Sequence, residues 1–377
     1  MRFQDIPGLK HTKQQLIEAV QGNHVAHAQL FVGAEGSANL AMALAFTTYV
    51  NCENPGAEDA CGNCPSCIKN SKYIHPDVNF VFPSAATPKL KREDATSEKF
   101  LVEWRAFLQQ NPYGNVSDWS NHFGWENKLL MIPRQESRNI VRALSLKSFE
   151  GKYKVMIIWL PELMNVNAAN GILKILEEPP ENTLFLLVSN DANKLLTTIL
   201  SRAQQLRIPA FDDEDIKQVL AQKTDLSEEE IAQLAYRAEG NMRKALLEIG
   251  GTGNEVADYF KDWMRQCFSY NFEALIQLAD DFQKKGKEFQ VGLFAVASRF
   301  MRETLLKGVS AEAISRLPET ERGFVEKFSA VFVPPKIAIL SPKLDEAQYH
   351  VERNANPKIL FLDLSLSIAQ IARAKSH

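Results

Sequence analysis

The sequence predicts an α/β fold built on a parallel sheet and followed by a long helical region. Between residues 28 and 208, short apolar runs alternate with helix-like segments, which is the pattern of strands joined by helices. After Pro209 no further strand-like run occurs, and apolar residues recur at helical spacing. A glycine turn after the first apolar run has the outline of a phosphate-binding loop.

The composition sets limits on the class of protein. The 377 residues are 45% hydrophobic and 24% charged, with a net charge of -3. This length is enough for two or three globular domains. The charge excludes a generally basic nucleic-acid binder, so any DNA contact must be local or shared with partners. Because the sequence has neither a signal-peptide pattern nor a membrane-span pattern, we expect a cytoplasmic protein.

The glycine turn lies in the stretch HAQLFVGAEGSAN, residues 27–39. An apolar run ends at Gly33, a loop containing Gly36 follows, and a helix-like run begins at Leu40. In register with the P-loop pattern G-x-x-x-x-G-K-[ST], Asn39 replaces the lysine and Leu40 replaces the hydroxyl residue. The turn therefore lacks the phosphate-binding lysine and the Mg²⁺ ligand. Any turn between a strand and a helix also fits this outline.

A second part of a nucleotide site is missing further along the chain. The apolar run from Val155 to Trp159 is typical of a strand buried on both faces. In an ATPase of this architecture, acidic residues end such a strand, where they hold Mg²⁺ and polarise water. Trp159 and Leu160 occupy those positions here, and Glu162 is the only carboxylate nearby. Two independent losses favour a disabled site over an unusual glycine loop.

Four of the five cysteines follow the spacing C-x₈-C-x₂-C-x₂-C, at Cys52, Cys61, Cys64 and Cys67. Two interleaved C-x-x-C turns can present thiolates to one tetrahedral Zn²⁺, and Cys52 supplies the fourth from the end of a helix. A site closed by four thiolates leaves no position for water, so this zinc would be structural. Four free thiols and an iron–sulfur cluster are the alternatives.

Residues 84–130 interrupt the alternation of strands and helices. The segment begins with a polar, charged stretch and continues with a helix-like run that ends at Asn111. Trp119 and Trp125 lie in a polar setting. Such aromatic residues form a local core more often than a binding face. We interpret the segment as an insertion with one helix, packed on the surface or used for contact.

The alternation resumes after the insertion. We expect helices over residues 132–149 and 167–178, strands over 184–188 and 205–208, and a short helix ending at Arg202. Gly250, Gly251 and Gly253 indicate a linker. The pattern from 256 to 377 is helical, with Cys267 as a core residue.

Several of these segments match one protein family, in order along the chain. The chain resembles the δ′ subunits of the bacterial DNA polymerase III clamp loader, which belong to the AAA+ proteins and are close to the γ/τ subunits. The resemblance rests on HAQLF–GAEG at 27–36, the four cysteines, LSLKSFEGKYKV at 144–155, MNVNAANGILKILEEPPENTLFLLVSN at 164–190, SRA at 201–203 and GNMRKAL at 240–246. It covers about residues 1–250, and beyond them only the helical character agrees.

This resemblance implies a domain organisation. A RecA-like P-loop AAA+ domain would span residues 1–208, with a zinc module at 52–67 and the insertion at 84–130. A small helical lid domain would follow over 209–252, and a C-terminal helical oligomerisation domain, or collar, over 256–377. The insertion lies outside the family pattern.

The departures from the pattern distinguish δ′ from the γ/τ motor subunits. A motor subunit should keep a lysine at position 39 and acidic residues at 159 and 160, and this chain keeps neither. The motif SRA replaces the usual SRC but retains the arginine. The resemblance therefore implies that Arg202 acts in trans as an arginine finger on the neighbouring ATP site. Ser189 and Arg243 match two sensor positions, and we expect them to be structural remnants with no ATP bound in cis.

The sequence thus predicts a non-hydrolysing subunit of a bacterial clamp loader, within the DNA polymerase III holoenzyme. The implied partners are the γ/τ and δ subunits and, through the assembly, the sliding clamp and primed DNA. We expect one structural zinc per chain and no catalysis by the isolated chain. One alternative is an active γ/τ-like ATPase with an atypical P-loop. Another is a module that docks a different protein through its zinc site and tryptophans.

Overall fold

The computed structural model describes residues 1–125, 128–249, 252–309, 311, 315, 317, 319–353 and 355–374. The chain divides into two compact units, Met1–Leu246 and Leu247–His377. Within the described residues, every strand belongs to the first unit. Among all the described residues, no helix is long and apolar enough to span a membrane.

The first unit contains the parallel sheet that the alternation predicts. Its strands are β1 (Ala28–Val32), β2 (Val78–Val81), β3 (Lys154–Trp159), β4 (Thr183–Ser189) and β5 (Gln204–Arg207). The order across the sheet is β2-β3-β4-β1-β5, and each neighbouring pair is parallel. Val32 pairs with Ser189, so β1 and β4 end side by side at the carboxyl edge of the sheet.

Eleven α-helices precede the second unit or end at its start in the described part of the chain. In chain order they are α1 (Lys10–Gln21), α2 (Asn39–Val50), α3 (Pro65–Ser71), α4 (Leu101–Gln110), α5 (Val116–Phe123), α6 (Arg134–Ser145), α7 (Val166–Glu177), α8 (Thr197–Leu200), α9 (Asp213–Lys223), α10 (Glu228–Ala238) and α11 (Met242–Glu248). Every residue of β3, β4 and α2 is buried. Continuous apolar strands and a helix that is apolar all round are what a sheet covered on both faces requires.

The insertion contains two helices, α4 and α5, and the prediction of a single helix was wrong. The second helix begins with a capping box, in which Asn115 and Asp118 each accept a hydrogen bond from the other's backbone N–H. Gly124, with a φ of 77°, ends it in the left-handed conformation that favours glycine. This helix is short and its apolar residues are few, so the helical period was too weak to detect.

The tryptophans of the insertion form a local core, as predicted. Trp104 and Trp119 are completely buried and Trp125 is 1% exposed. The Trp104 ring stacks on Phe82 at a centroid distance of 4.3 Å and meets the Trp119 ring edge-on at 5.2 Å. These geometries are the favoured ones for aromatic pairs. The rings therefore hold α4 and α5 together rather than forming a binding face.

The regular secondary structure of the second unit is all helical within its described residues. Its helices are α12 (Thr252–Ser269), α13 (Phe272–Lys284), α14 (Lys287–Gly308), α15 (Glu319–Ser329), α16 (Pro334–Glu352) and α17 (Pro357–Arg373). Cys267 is completely buried in the core of this unit, as predicted.

The predicted linker does not extend to Gly253, because α12 already includes that residue. Gly250 and Gly251 lie outside the described residues. A glycine inside a helix costs only about 1 kcal/mol. Buried side chains further along α12, such as Phe260 and Trp263, offset that cost by packing in the core.

Candidate functional site

The glycine turn lies at the carboxyl edge of the sheet, between β1 and α2. The Gly33 N–H donates to the Ser189 carbonyl at 3.2 Å, which joins the turn to the end of β4. Gly36 has a φ of 76°, and a Cβ there would lie 1.8 Å from Asn241 Oδ1. The Met242 N–H also donates to the Gly36 carbonyl at 3.0 Å. The turn therefore touches the start of α11 so closely that only glycine fits.

Asn39, at the position of the P-loop lysine, is bonded to the protein itself. It is 5% exposed, and its Nδ2 lies 3.2 Å from the Gly33 carbonyl, 3.2 Å from the Ser189 carbonyl and 3.1 Å from Asn190 Oδ1. Its Oδ1 accepts the Leu40 N–H at 2.8 Å. The amide thus ties the glycine turn to the end of β4. Leu40, at the position of the Mg²⁺-binding hydroxyl, is buried in the core.

A serine hydroxyl also turns inward on the loop. Ser37 is 3% exposed, and its Oγ has no hydrogen-bond partner among the described residues. A Cβ on Gly33 would lie 2.3 Å from this Oγ. The absence of a side chain at Gly33 therefore leaves the space that the hydroxyl uses.

The end of β3 is apolar where an ATPase carries acids. Trp159 and Leu160 are both buried, and Leu160 has a φ of 55°. The Trp159 ring lies 5.0 Å from the Trp104 ring of the insertion. The nearby Glu162 accepts the Asn190 N–H at 3.1 Å, and burial raises the pKa of its carboxyl group. The Glu162 carboxylate therefore serves a backbone hydrogen bond at this strand end.

Arg243, at the second sensor position, binds two acidic side chains of the same unit. Its Nε and Nη2 donate to Asp118 Oδ2 and Oδ1 at 2.5 and 2.7 Å. Its Nη1 lies 3.7 Å from Glu35 Oε1, which also accepts a hydrogen bond from Asn115 Nδ2 at 2.8 Å. Asp118 and Asn115 were not predicted as residues of this site. The spacing of a capping box can be recognised in the sequence, but the distant residues that these two side chains bind cannot.

Arg202 follows α8 and has different neighbours. Its Nε donates to Glu177 Oε1 at 2.7 Å, and its Nη1 donates to the Thr198 carbonyl at 2.7 Å and to Ser201 Oγ at 3.2 Å. Its side chain is 28% exposed. These partners belong to α7, to α8 and to the residue after α8, and not to the glycine turn.

The fold brings the four predicted cysteine ligands together. The Sγ atoms of Cys52, Cys61, Cys64 and Cys67 all lie within 4.8 Å of one another. Cys61 Sγ and Cys67 Sγ are 3.9 Å apart, and tetrahedral ligands at the usual Zn–S length would be about 3.8 Å apart. This set of four thiols can bind a metal ion such as zinc.

Local backbone geometry supports thiolates at this cluster. The N–H groups of Cys61, Cys64 and Cys67 point at the sulfurs of Cys52, Cys61 and Cys64, at 3.3–3.4 Å. Backbone N–H groups of Asn63 and Cys64 lower the pKa of the Cys61 thiol to about 6. Burial raises the pKa of Cys52 and Cys67. Thiolate is the form that binds metal, so the donors favour the ligand state at Cys61.

The family described as DNA polymerase III, delta subunit, matches residues 8–212, which is more than half of the chain. This chain belongs to that family. The match contains the glycine turn, the four cysteines and Arg202, whereas Arg243 lies beyond it. The predicted resemblance to the delta′ and gamma/tau subunits is confirmed.

Individual relatives agree with the family match. The chain is 26% identical to DNA polymerase III subunit delta′ of Bacillus subtilis over 231 residues, which cover 61% of this chain and 56% of that protein. It is 28% identical to subunit delta′ of Pseudomonas aeruginosa over 184 residues, covering 49% and 43%. It is 28% identical to subunit tau/gamma of Haemophilus influenzae over 251 residues, covering 65% and 30%. The chain thus spans less than a third of that tau/gamma relative.

Among solved structures, the chain is similar to a DNA polymerase III gamma subunit-related protein from Thermotoga maritima. The two sequences are 16% identical, with a TM-score of 0.39, and the alignment covers 95% of this chain and 100% of that one.

Proposed function

We propose that this delta-family protein is a non-hydrolysing, delta′-like subunit of a bacterial DNA polymerase III clamp loader. It would help to load the sliding clamp on primed DNA as part of an assembly with gamma/tau and delta subunits. The observation that carries this proposal is the state of the glycine turn. Asn39 replaces the catalytic lysine and is bonded to the turn and to β4.

The chemistry of this turn argues against hydrolysis in cis. A phosphoryl-transfer site needs a cation at the β/γ-phosphates and oxygen ligands for Mg²⁺. At the matching positions this chain has a neutral amide at Asn39, an aliphatic side chain at Leu40, and the buried apolar residues Trp159 and Leu160. A phosphate here would find neither the charge nor the metal that stabilises its transition state.

Arg202 is suited to act on a neighbouring subunit's ATP. Its guanidinium is permanently charged and presents a planar fork that matches phosphate oxygens. Glu177 and the Thr198 carbonyl hold this fork at the end of α8, and part of the side chain stays exposed. A partner's γ-phosphate could compete with Glu177 for it. We propose Arg202 as the arginine finger in trans.

The cysteine cluster has a structural role in this proposal. Cys52, Cys61, Cys64 and Cys67 would hold one zinc ion per chain, because their spacing matches a tetrahedral four-thiolate site. Such an ion supplies local folding energy and no catalytic chemistry.

The Arg202→Ala variant tests the proposal. We expect it to assemble normally but to slow DNA-stimulated ATP hydrolysis at the neighbouring site by about 10³-fold or more, which is the usual contribution of an arginine finger. The measurement is steady-state ATP hydrolysis by the reconstituted complex with clamp and primed DNA. The matched control is Arg92→Ala, which removes an exposed arginine of the insertion.

Two results would contradict the proposal. Unchanged hydrolysis by the Arg202→Ala complex would remove the finger role. ATP turnover by the isolated chain would instead support the alternative of an active gamma/tau-like ATPase.

A further inference from the structure

The insertion reaches the disabled nucleotide site at several points. We infer that residues 84–130 act as an internal lock on this site, in which the Asp118 carboxylate binds Arg243 in place of a phosphate. The inference rests on the proposed function in that it concerns the same disabled turn.

The first observation is the pairing of Asp118 with Arg243. Two parallel hydrogen bonds of 2.5 and 2.7 Å join the carboxylate to the guanidinium fork. The two side chains are only 17% and 12% exposed. Bidentate, charge-assisted pairs of this kind are the strongest side-chain hydrogen bonds, and phosphate binds arginine through the same fork. Asp118 therefore satisfies the geometry that an anionic ligand would require of Arg243.

The second observation is that the insertion also binds the glycine turn itself. Asn115 Nδ2 donates to Glu35 Oε1 at 2.8 Å, and the same oxygen lies 3.7 Å from Arg243 Nη1. The next residue of the turn, Gly36, packs against Asn241 with no room for a Cβ. The insertion, the turn and α11 are thus joined through adjacent contacts within one compact unit.

The third observation comes from the end of β3. Trp159 replaces an acidic residue there, and its ring lies 5.0 Å from Trp104 and 6.0 Å from Phe107, both on α4. A carboxylate at position 159 would be buried among these rings without a partner, which costs several kcal/mol. An apolar residue at position 159 is therefore required where the insertion packs against the end of β3.

Contacts within and next to the insertion fix the position of Asp118 independently of Arg243. Its Oδ2 accepts the Asn115 N–H at 2.9 Å in the capping box of α5. The next residue, Trp119, is completely buried and donates its Nε1–H to the Pro83 carbonyl at 2.8 Å. Because these contacts already order Asp118, its pairing with Arg243 costs little additional conformational entropy.

This arrangement excludes nucleotide by a route separate from the missing lysine. A triphosphate approaching Arg243 would have to displace the Asp118 carboxylate and would meet its charge and that of Glu35. Like charges at such a site repel, and the displaced Asp118 would lose a bidentate partner. The lock also keeps the turn and α11 together whether or not nucleotide is present.

Restoring the lysine in the full-length chain tests the lock. We compare Asn39→Lys alone with Asn39→Lys combined with Asp118→Asn, and titrate each with a fluorescent ATP analogue. Asparagine keeps an acceptor for the capping box but loses the charge. We expect the combined variant to bind at least about tenfold more tightly, because the Asp118 charge no longer competes with the phosphates for Arg243. The matched control combines Asn39→Lys with Asp94→Asn, which removes an exposed carboxylate of the insertion.

A second measurement does not depend on the lysine variant folding. It compares hydrogen exchange of the single variants Asp118→Asn and Asp94→Asn. We expect exchange at residues 33–40 and 240–246 to become at least about tenfold faster in Asp118→Asn and to stay unchanged in Asp94→Asn. Equal ATP affinity with and without Asp118, or unchanged exchange at those segments, would overturn the lock. Both measurements use the isolated chain, so they can fail while the Arg202 result in the assembled complex stands.

Discussion

Asp77 shows at the scale of a single residue how one buried carboxylate organises a loop. It is 1% exposed and accepts the backbone N–H groups of Phe149, Glu150 and Gly151 at 2.6, 2.8 and 2.7 Å. Burial alone would raise its pKa, but these three donors outweigh burial and hold the pKa of the Asp77 carboxyl below its usual range. The loop before β3 is therefore fixed to the start of β2 by one negative charge.

We expect Asp77→Asn to lower the free energy of unfolding by about 2 kcal/mol at pH 7, because an amide accepts fewer of these bonds and carries no charge. The folded pKa of Asp77 lies below the unfolded value, so its stabilisation is present above about pH 4 and is lost as pH falls through the folded pKa. The difference between wild type and variant should therefore shrink below about pH 4. Urea unfolding between pH 3 and pH 7 is the measurement.

The matched control for this prediction is Asp225→Asn, which removes an exposed aspartate. It should leave the free energy of unfolding within about 0.5 kcal/mol of wild type. A wild-type advantage over Asp77→Asn that stays constant down to pH 3 would contradict the assignment.

At the scale of elements, the segment around α3 is built to present thiols. Cys64 precedes α3, its sulfur accepts the Cys67 N–H, and Pro65 occupies the first helical position. Gly62 has a φ of 77°, which suits a tight turn between two ligands. Cys52 lies just after the end of α2. Because every residue of α2 is buried, the packing of that helix fixes the position of Cys52. A segment this short has little core of its own, so a bound metal would supply much of its stability.

Metal analysis of protein purified without added zinc should find about one zinc per chain. Cys64→Ser should lose most of this metal and expose residues 52–67 to protease, because one of four ligands is gone. The matched control is Cys267→Ser, which changes a buried cysteine of the second unit and should keep the zinc. Wild-type protein without metal would contradict the zinc assignment, and iron in its place would support a cluster.

The insertion is the other element that shapes the site. Its aromatic core packs on Trp159, and its capped helix α5 carries Asp118 to Arg243. A polar segment that lay only on the surface would not bury three tryptophans. The burial of Trp104, Trp119 and Trp125 shows that the insertion is part of the first unit's core structure.

At the scale of the whole molecule, the family match and the glycine turn both fall in the first unit. The match ends at residue 212, and the second unit carries its own core of buried residues from α12 to α17. We propose that this helical unit is the collar that holds the subunit in the assembly.

A chain shortened to residues 1–251 tests the collar proposal. We expect it to keep its zinc and its cooperative unfolding, because the sheet and its core lie in the first unit. It should no longer co-elute with gamma/tau and delta subunits in gel filtration, whereas the full chain should. Co-elution of the folded short chain as efficiently as the full chain would contradict the collar role.

Much of the fold was predictable because its signals are local. The run from Val155 to Trp159 predicted a buried strand, since a parallel strand covered on both faces must be apolar along its whole length. The cysteine spacing predicted that the four sulfurs would cluster, because C-x-x-C turns hold their sulfurs close together within a few residues. The short helix α5 was missed because eight residues carry too little periodicity.

The sequence alone determined the parallel α/β sheet, the helical region after it, the grouping of four cysteines and the missing charge at Asn39. Each of these depends on residue type or on spacing over a few residues. Only the tertiary structure decided that Asp118 pairs with Arg243, 125 residues away, and that Asp77 binds the loop at Phe149. Such partners meet because the core packs in one way, and no local pattern encodes which distant side chains that packing brings together.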